Sequence, residues 1–391
     1  MRFRKVKINS KAQAFHRSFE GIANTLVRRY DGVKRHIGLQ GRKANYDDLA
    51  YEFVGGAGEE LRLKHYDKSL KLLWKAERLA PWSSFHDCTR EERQLLALAD
   101  QALNAKEKVA RHQLTRPEFK ERLRQEYTLR ERQAIVNVLS AIGHGEAYAW
   151  LVASDLLREV QSTGARAALT MQVMEEAKHF VVLRELVRAF DVSIPRLSAW
   201  EYLFLEEAYK AQGLEKFFGM NVLIEAIALG IFGMFSTFPH LEILRMFHLD
   251  EARHTALPAN YFQAFPLATK EKKRLSNRVT RLKMVLPVIP FIFYMEEDLA
   301  ELGIDVFEFG GSVARKVLHL TERIGFQLPI PNHSLTYLFN EMFNAYCSRT
   351  RLGHTHRNFM DSETTLGEKE IQVEREIFNT PARNYELGMT N

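Results

Sequence analysis

From Phe217 to Phe235 the chain reads FFGMNVLIEAIALGIFGMF, and its only polar side chains are Asn221 and Glu225. A helix that is apolar on every side has to be buried, so this stretch demands a thick core around it. A carboxylate inside such a helix is costly unless it is protonated or meets a cation. The run is long enough to cross a bilayer. Glu225 lies near its centre, however, where lipid makes a carboxylate expensive, and three glycines interrupt it. We therefore expect a core helix and no membrane span.

The cation is suggested by two further stretches, Met174-Glu175-Glu176-Ala177-Lys178-His179 and Leu249-Asp250-Glu251-Ala252-Arg253-His254. Each holds Glu-x-x-His with an acid just before the Glu. Residues i and i+3 share one face of a helix, so Glu176 with His179 can grip one metal ion and Glu251 with His254 another. Glu146, in the mostly apolar run Glu146-Ala147-Tyr148-Ala149-Trp150-Leu151-Val152-Ala153, supplies a fourth carboxylate. The spacings suit antiparallel hairpins. Glu225 lies 14 residues before Pro239 and Glu251 12 after it; Glu146 lies 18 before Gly164 and Glu176 12 after it. At about 1.5 Å per residue, each pair returns to similar height. One Glu from each of two helices, with Glu-x-x-His from two others, is the arrangement of ferritin-like di-iron and di-manganese proteins.

The expected fold class is accordingly all-α: a ferritin-like four-helix bundle over 117–265 with additional flanking helices. Residues 1–116 are expected to form N-terminal helices packing on it, 266–352 C-terminal helices, and 353–391 a polar tail. Apolar content of 46% with 26 Phe suits a large core. The two cysteines, Cys88 and Cys347, are far apart and form no metal-type pair, which points to a reducing, cytoplasmic setting. The basic start lacks a following apolar run, so no signal peptide is expected. Net charge is +6, with seven Lys or Arg against one Glu from Lys270 to Lys283. The plain reading of that patch is a solvated helix face; the sharper one is an acidic partner such as a carrier protein, a tRNA or anionic lipid. No aromatic residue interleaves it, which weakens the nucleic-acid reading.

Along the chain, helices are expected over 12–37 (with Phe15, Phe19, Ile22, Leu26 and Tyr30 in helical period) and over 46–79, broken at Gly55–Gly58. Thr89-Arg90-Glu91-Glu92 and Thr115-Arg116-Pro117-Glu118 fit capping boxes. Further helices are expected from about 199 to 212, 270 to 285, 296 to 325 and 333 to 350, with Pro258 and Pro266 ending the Glu251 helix. Met284–Met295, holding Pro287 and Pro290, reads as a packed, kinked segment.

With these residues in view, the stretch from about Glu146 to His254 resembles the oxygen-activating di-iron branch of the ferritin-like superfamily. That branch includes the ribonucleotide reductase small subunit, the multicomponent monooxygenases and the p-aminobenzoate N-oxygenase type. The resemblance implies that Glu146, Glu176, His179, Glu225, Glu251 and His254 are metal ligands, with Glu176 and Glu251 bridging. It also implies that Asp250 orients His179 and Glu175 orients His254. The chain departs from each subfamily. Leu183 stands where the radical-bearing reductase has Tyr, Leu229 where the monooxygenases have Thr, and Phe247 where the N-oxygenases have an extra His. His248 lies one residue off that last position, which leaves a seventh ligand open.

Carboxylate and imidazole ligands suit iron or manganese, so the expected cofactors are two iron ions, with Fe/Mn or di-manganese as variants, and O₂ as co-substrate. The expected function is an O₂-dependent oxidoreductase acting on a small organic substrate by hydroxylation, N-oxygenation or a related oxidation. It would need an electron donor, a reductase or ferredoxin, and could work as a homodimer. A substrate pocket is expected one turn from the ligands, lined by Ala149, Trp150, Ala153, Leu183, Leu229 and Phe232; plain core packing is the competing reading of those residues. The alternatives are a ferroxidase or iron-binding protein, a helical scaffold, and a hydroxylase of a tRNA or carrier-bound substrate.

Overall fold

The computed structural model describes residues 5–37, 114, 116–161 and 163–360, all helix, turn and connecting loop, with no strand among them. The helices expected over 46–79 and at Thr89 lie outside these residues, as does Cys88. Thirteen helices are described: α1 (Ser10–His36), α2 (Pro117–Glu126), α3 (Leu129–Leu156), α4 (Thr163–Ala189), α5 (Ala199–Lys210), α6 (Glu215–Phe235), α7 (Leu244–Ala264), α8 (Thr269–Lys273), α9 (Leu275–Val285), α10 (Val288–Tyr294), α11 (Glu296–Glu301), α12 (Val306–Ile324) and α13 (Asn332–Thr350).

The helix opening at Pro117 does not continue to Glu146. It stops at Glu126, and α3 starts afresh from a capping box in which Thr128 Oγ1 accepts from the Glu131 amide while Glu131 accepts from the Thr128 amide. Such a cap is worth about 1 kcal/mol. Arg116 holds the N-cap position of α2, with no side-chain cap bond, and Thr115 lies outside the described residues. From Leu129, α3 runs unbroken through Gly143 and Gly145 to Leu156. Ser198 and Glu201 form a second capping box, opening α5.

Two hairpins make the centre. α3 packs along α4, and α6 along α7; α4 also touches α7, and α3 touches the first half of α6. By length and composition α6 could cross a membrane, yet all of its most apolar window is buried inside the protein. Residues Phe218–Ile224 of α6 wind as a π-helix, ending where the Glu225 amide donates to the Met220 carbonyl. Gly219 is needed in that turn, because a Cβ there would sit 2.8 Å from Ala208 Cβ and 2.9 Å from Met284 Sδ.

Pro258 does not end α7. The helix carries it internally and stops at Ala264, just before Pro266. The region expected as one helix from 296 to 325 is two, α11 and α12, parted by Gly303 at φ 77° and capped afresh by Asp305. The periodic apolar residues of α1 do not form its packing face. Phe15, Phe19, Ile22, Leu26 and Tyr30 are all exposed, while Gln13, Glu20 and Val27 are buried. α1 docks through hydrogen bonds instead: Gln13 donates to Glu296, and Glu20 accepts from the Ala199 amide. Nor is the stretch after Gly353 free of the core as far as it is described. Phe359 is fully buried against Phe307 and Phe343, and its carbonyl oxygen lies so close to Gly311 that a Cβ there would be 1.8 Å away.

Candidate metal centre

The two hairpins bring six side chains from distant parts of the sequence to one buried spot. Glu146 comes from α3, Glu176 and His179 from α4, Glu225 from α6, and Glu251 and His254 from α7. They fall into two quartets, Glu146–Glu176–His179–Glu251 and Glu176–Glu225–Glu251–His254, with the candidate ligand atoms of each within 4.8 Å of one another. Glu176 and Glu251 belong to both. All six residues are at most 3% exposed.

The contacts inside the cluster suit a cation better than they suit each other. His179 Nδ1 is 3.0 Å from Glu251 Oε1 and 3.5 Å from Glu146 Oε2, yet neither contact has hydrogen-bond alignment. Glu146 Oε1, Glu176 Oε2, Glu251 Oε1 and His179 Nδ1 are buried with no hydrogen-bond partner among the described residues. Orphaned atoms of that kind are rare in a folded interior. Here they converge, and three carboxylate oxygens with an imidazole nitrogen make a donor set that fits iron or manganese.

The outward nitrogens of both histidines meet acids. His179 Nε2 is 3.0 Å from Asp250 Oδ2, and His254 Nε2 is 2.9 Å from Glu175 Oε2. Nδ1 of each ring is thereby left facing the cluster. Lys178 donates to Asp250 at 2.6 Å, and Arg253 Nη2 reaches both Asp250 Oδ1 at 2.5 Å and Glu175 Oε1 at 2.7 Å.

Charge follows the same geometry. Burial pushes the Glu146 and Glu225 carboxyls well above their ordinary range; for Glu225 the neighbouring Glu176 and Glu251 add to it. Burial acts on Glu176 too, but the facing imidazoles outweigh it and hold that carboxyl well below its usual value. Glu251 is drawn down to about 2 against burial and Glu176, by its hydrogen bond with Glu225 and by both histidines. His179 and His254 are raised well above the ordinary imidazole value, the surrounding carboxylates overcoming burial. Without metal, protons are therefore favoured on Glu146, Glu225 and the two imidazoles and disfavoured on Glu176 and Glu251.

Two residues of this site were not read from the sequence as part of it. Gln172 donates to Glu176 Oε1 at 3.1 Å and Glu225 Oε1 at 2.7 Å, and accepts from Asn221 Nδ2 at 3.0 Å. Asn221 also donates to the His254 carbonyl at 2.9 Å. That carbonyl is available because Pro258, four residues on, has no N–H to give it. The signals were there: Gln172 stands four residues before Glu176 and Asn221 four before Glu225, on the same helix faces.

Other expectations are corrected. His144 is 1% exposed on α3 with Nδ1 3.6 Å from Glu201 Oε1. His248 belongs to neither quartet; its Nδ1 lies 2.9 Å from the Leu229 carbonyl oxygen. Phe247 instead stacks on His179, ring centroids 4.5 Å apart. Trp150 is 38% exposed and faces away from the centre, and Ala149, Ala153, Leu183, Leu229 and Phe232 are core-packing residues. The space beside the candidate ligands opens elsewhere. A narrow slot of about 20 Å³, room for about one water molecule, is walled by Gly145, Glu146, Glu225, Ile227, Ala228 and Phe291 among others. Side chains on a helix lean toward its N-terminus, so room beside Glu146 lies over the turn before it, at Ala141, Ile142 and Gly145, and not the turn after.

Comparison with protein-family models, with curated proteins and with solved structures found no match to this chain.

Proposed function

We propose that this chain is a ferritin-like di-metal oxidoreductase that uses O₂ to oxidise a small organic substrate, with two iron ions as its cofactor and manganese as a possible substitute. The observation that carries the reading is the pair of overlapping quartets: two ions would share Glu176 and Glu251, with Glu146 and His179 completing one site and Glu225 and His254 the other. The α3–α4 and α6–α7 hairpins supply one Glu, one Glu-x-x-His, one Glu and one Glu-x-x-His in chain order, which is the ferritin-like pattern.

A reduced metal pair supplies electrons to O₂; everything else is the protein's part. Asp250 and Glu175 hold the histidine rings with Nδ1 inward. Gln172 steadies Glu176 and Glu225. Buried Phe232 and Phe247 exclude water beside His179. The slot next to Glu146 and Glu225 is narrow, with room for about one water molecule, and would let a small oxidant such as O₂ approach the ions.

The test is reconstitution of purified protein with Fe(II) without oxygen, then exposure to O₂. The reading expects close to two ions per chain and rapid O₂ uptake dependent on both. Metal content near zero, or O₂ uptake unchanged in Glu176→Ala, would overturn it.

A further inference from the structure

Behind α6, on the side away from the metal centre, lies a second and larger space. Its cavity volume is about 130 Å³, and α9, α10, α12, α13 and the 328–330 loop enclose it. None of its nineteen lining residues carries a polar side chain. Such a chamber repels water and polar solutes, because nothing in it replaces their hydrogen bonds. A dry apolar cavity of about that volume is large enough to take a slim organic ligand.

Three features say what fits. The chamber is long: it follows α12 from Gly310 to Leu318 and α13 from Leu335 to Phe343, in each case about 12 Å of helix. Its rim is apolar and open, since Leu286 and Leu338 line it and are 52% and 50% exposed. A cation stands at one end. Arg278, one helical turn before the wall residue Leu282, donates to the carbonyls of Leu328 and Pro329, and none of its contacts among the described residues is to a carboxylate. At the inner end is Ile227, which also walls the slot beside Glu146 and Glu225.

We propose that this chamber binds an unbranched aliphatic carboxylate, its headgroup at Arg278 and its chain running inward toward Ile227. The binding site rests on the chamber alone. That the chain is the substrate offered to the metal pair rests on the function proposed above.

The experiment is displacement of a fluorescent apolar probe from the full chain by octanoate, decanoate, laurate and myristate, and by the matching alcohols, with metal content measured on the same samples. Each added methylene should tighten binding about fourfold until the chamber is full. Ala314→Trp, which fills the chamber, should abolish binding while leaving metal content and the helical circular dichroism unchanged. Arg278→Gln should bring each carboxylate to the affinity of its alcohol, which itself should not move. Absence of saturable binding by the native chain, affinity independent of chain length, or full binding in a folded Ala314→Trp variant would each overturn the proposal. A chain that binds these ligands but holds no metal would overturn the proposed function and leave this site standing; a metal-loaded chain that binds none would do the reverse.

Discussion

Replacing Glu225 with Gln separates a structural carboxyl from a metal-binding one. In the metal-free protein burial and the nearby Glu176 and Glu251 shift Glu225 toward its protonated form, and Gln has nearly the same shape as the neutral acid. Glu225→Gln should therefore leave metal-free stability within about 1 kcal/mol of the native chain. Loading with metal is another matter. An ion supplied at a hundred times its dissociation constant stabilises the folded chain by about 2.7 kcal/mol. Glu225 belongs to only one of the two quartets. Losing even an outer partner of a ligand weakens affinity by up to about 100-fold, and the same loss here would leave that ion contributing only about 0.4 kcal/mol. The difference, roughly 2.3 kcal/mol, corresponds to a melting temperature about 5 °C lower for the loaded variant at about 2 °C per kcal/mol. Calorimetry with and without Mn(II), together with metal analysis, reads both quantities. If Glu225→Gln kept the full metal-induced shift, Glu225 would not be a ligand. If the metal-free variant melted several degrees lower, the carboxylate would be ionised there and the electrostatic reasoning wrong.

Four further outcomes follow from the structure. Metal loading, followed by equilibrium dialysis from pH 5 to 8, should weaken steeply as pH falls, because protons raised onto His179, His254, Glu146 and Glu225 must leave for ions to enter; a pH-independent affinity would contradict this. Asn221→Ala strands Gln172 Oε1 and the His254 carbonyl, and should cost about 3 kcal/mol in denaturant unfolding of the metal-free chain. Gly311→Ala drives a Cβ into the Phe359 carbonyl and should expel that segment, costing about 3 kcal/mol and exposing it to limited proteolysis near Phe359. Asp298 is raised by burial to about 7, so its contribution to stability is full below the unfolded value near 4 and is lost as pH rises through 7. Relative to native, Asp298→Asn should thus gain about 1 kcal/mol between pH 5 and pH 8, the shift being discounted for partial exposure.

What could be read from the sequence was what depends on local spacing. The two Glu-x-x-His turns, the lone acid in an apolar helix and the hairpin arithmetic need only helix geometry, and the structure brings all six residues into contact range. What could not be read depends on which face meets which neighbour. The apolar period of α1 gave no warning that its polar face would dock, because the partners Glu296 and Ala199 lie far along the chain. Nothing near His144 in sequence reveals that Glu201 faces it. On α3 the slot's walls Ala141, Ile142 and Gly145 precede Glu146, whereas Ala149, Trp150 and Ala153 follow it, because helical side chains lean toward the N-terminus. The π-turn before Glu225 has no sequence signature beyond Gly219 and shows itself only in the shifted amide of Glu225.

Arg253 bonds at once to the acid that holds one histidine and to the acid that holds the other, from a position half open to solvent. The two halves of the centre are thus tied together at their outer edge as well as through Glu176 and Glu251 at the middle. On the function proposed above, an ion arriving on one side would fix much of what the other side needs. Protein titrated with less than a full complement should sort into empty and doubly filled molecules, with few holding a single ion.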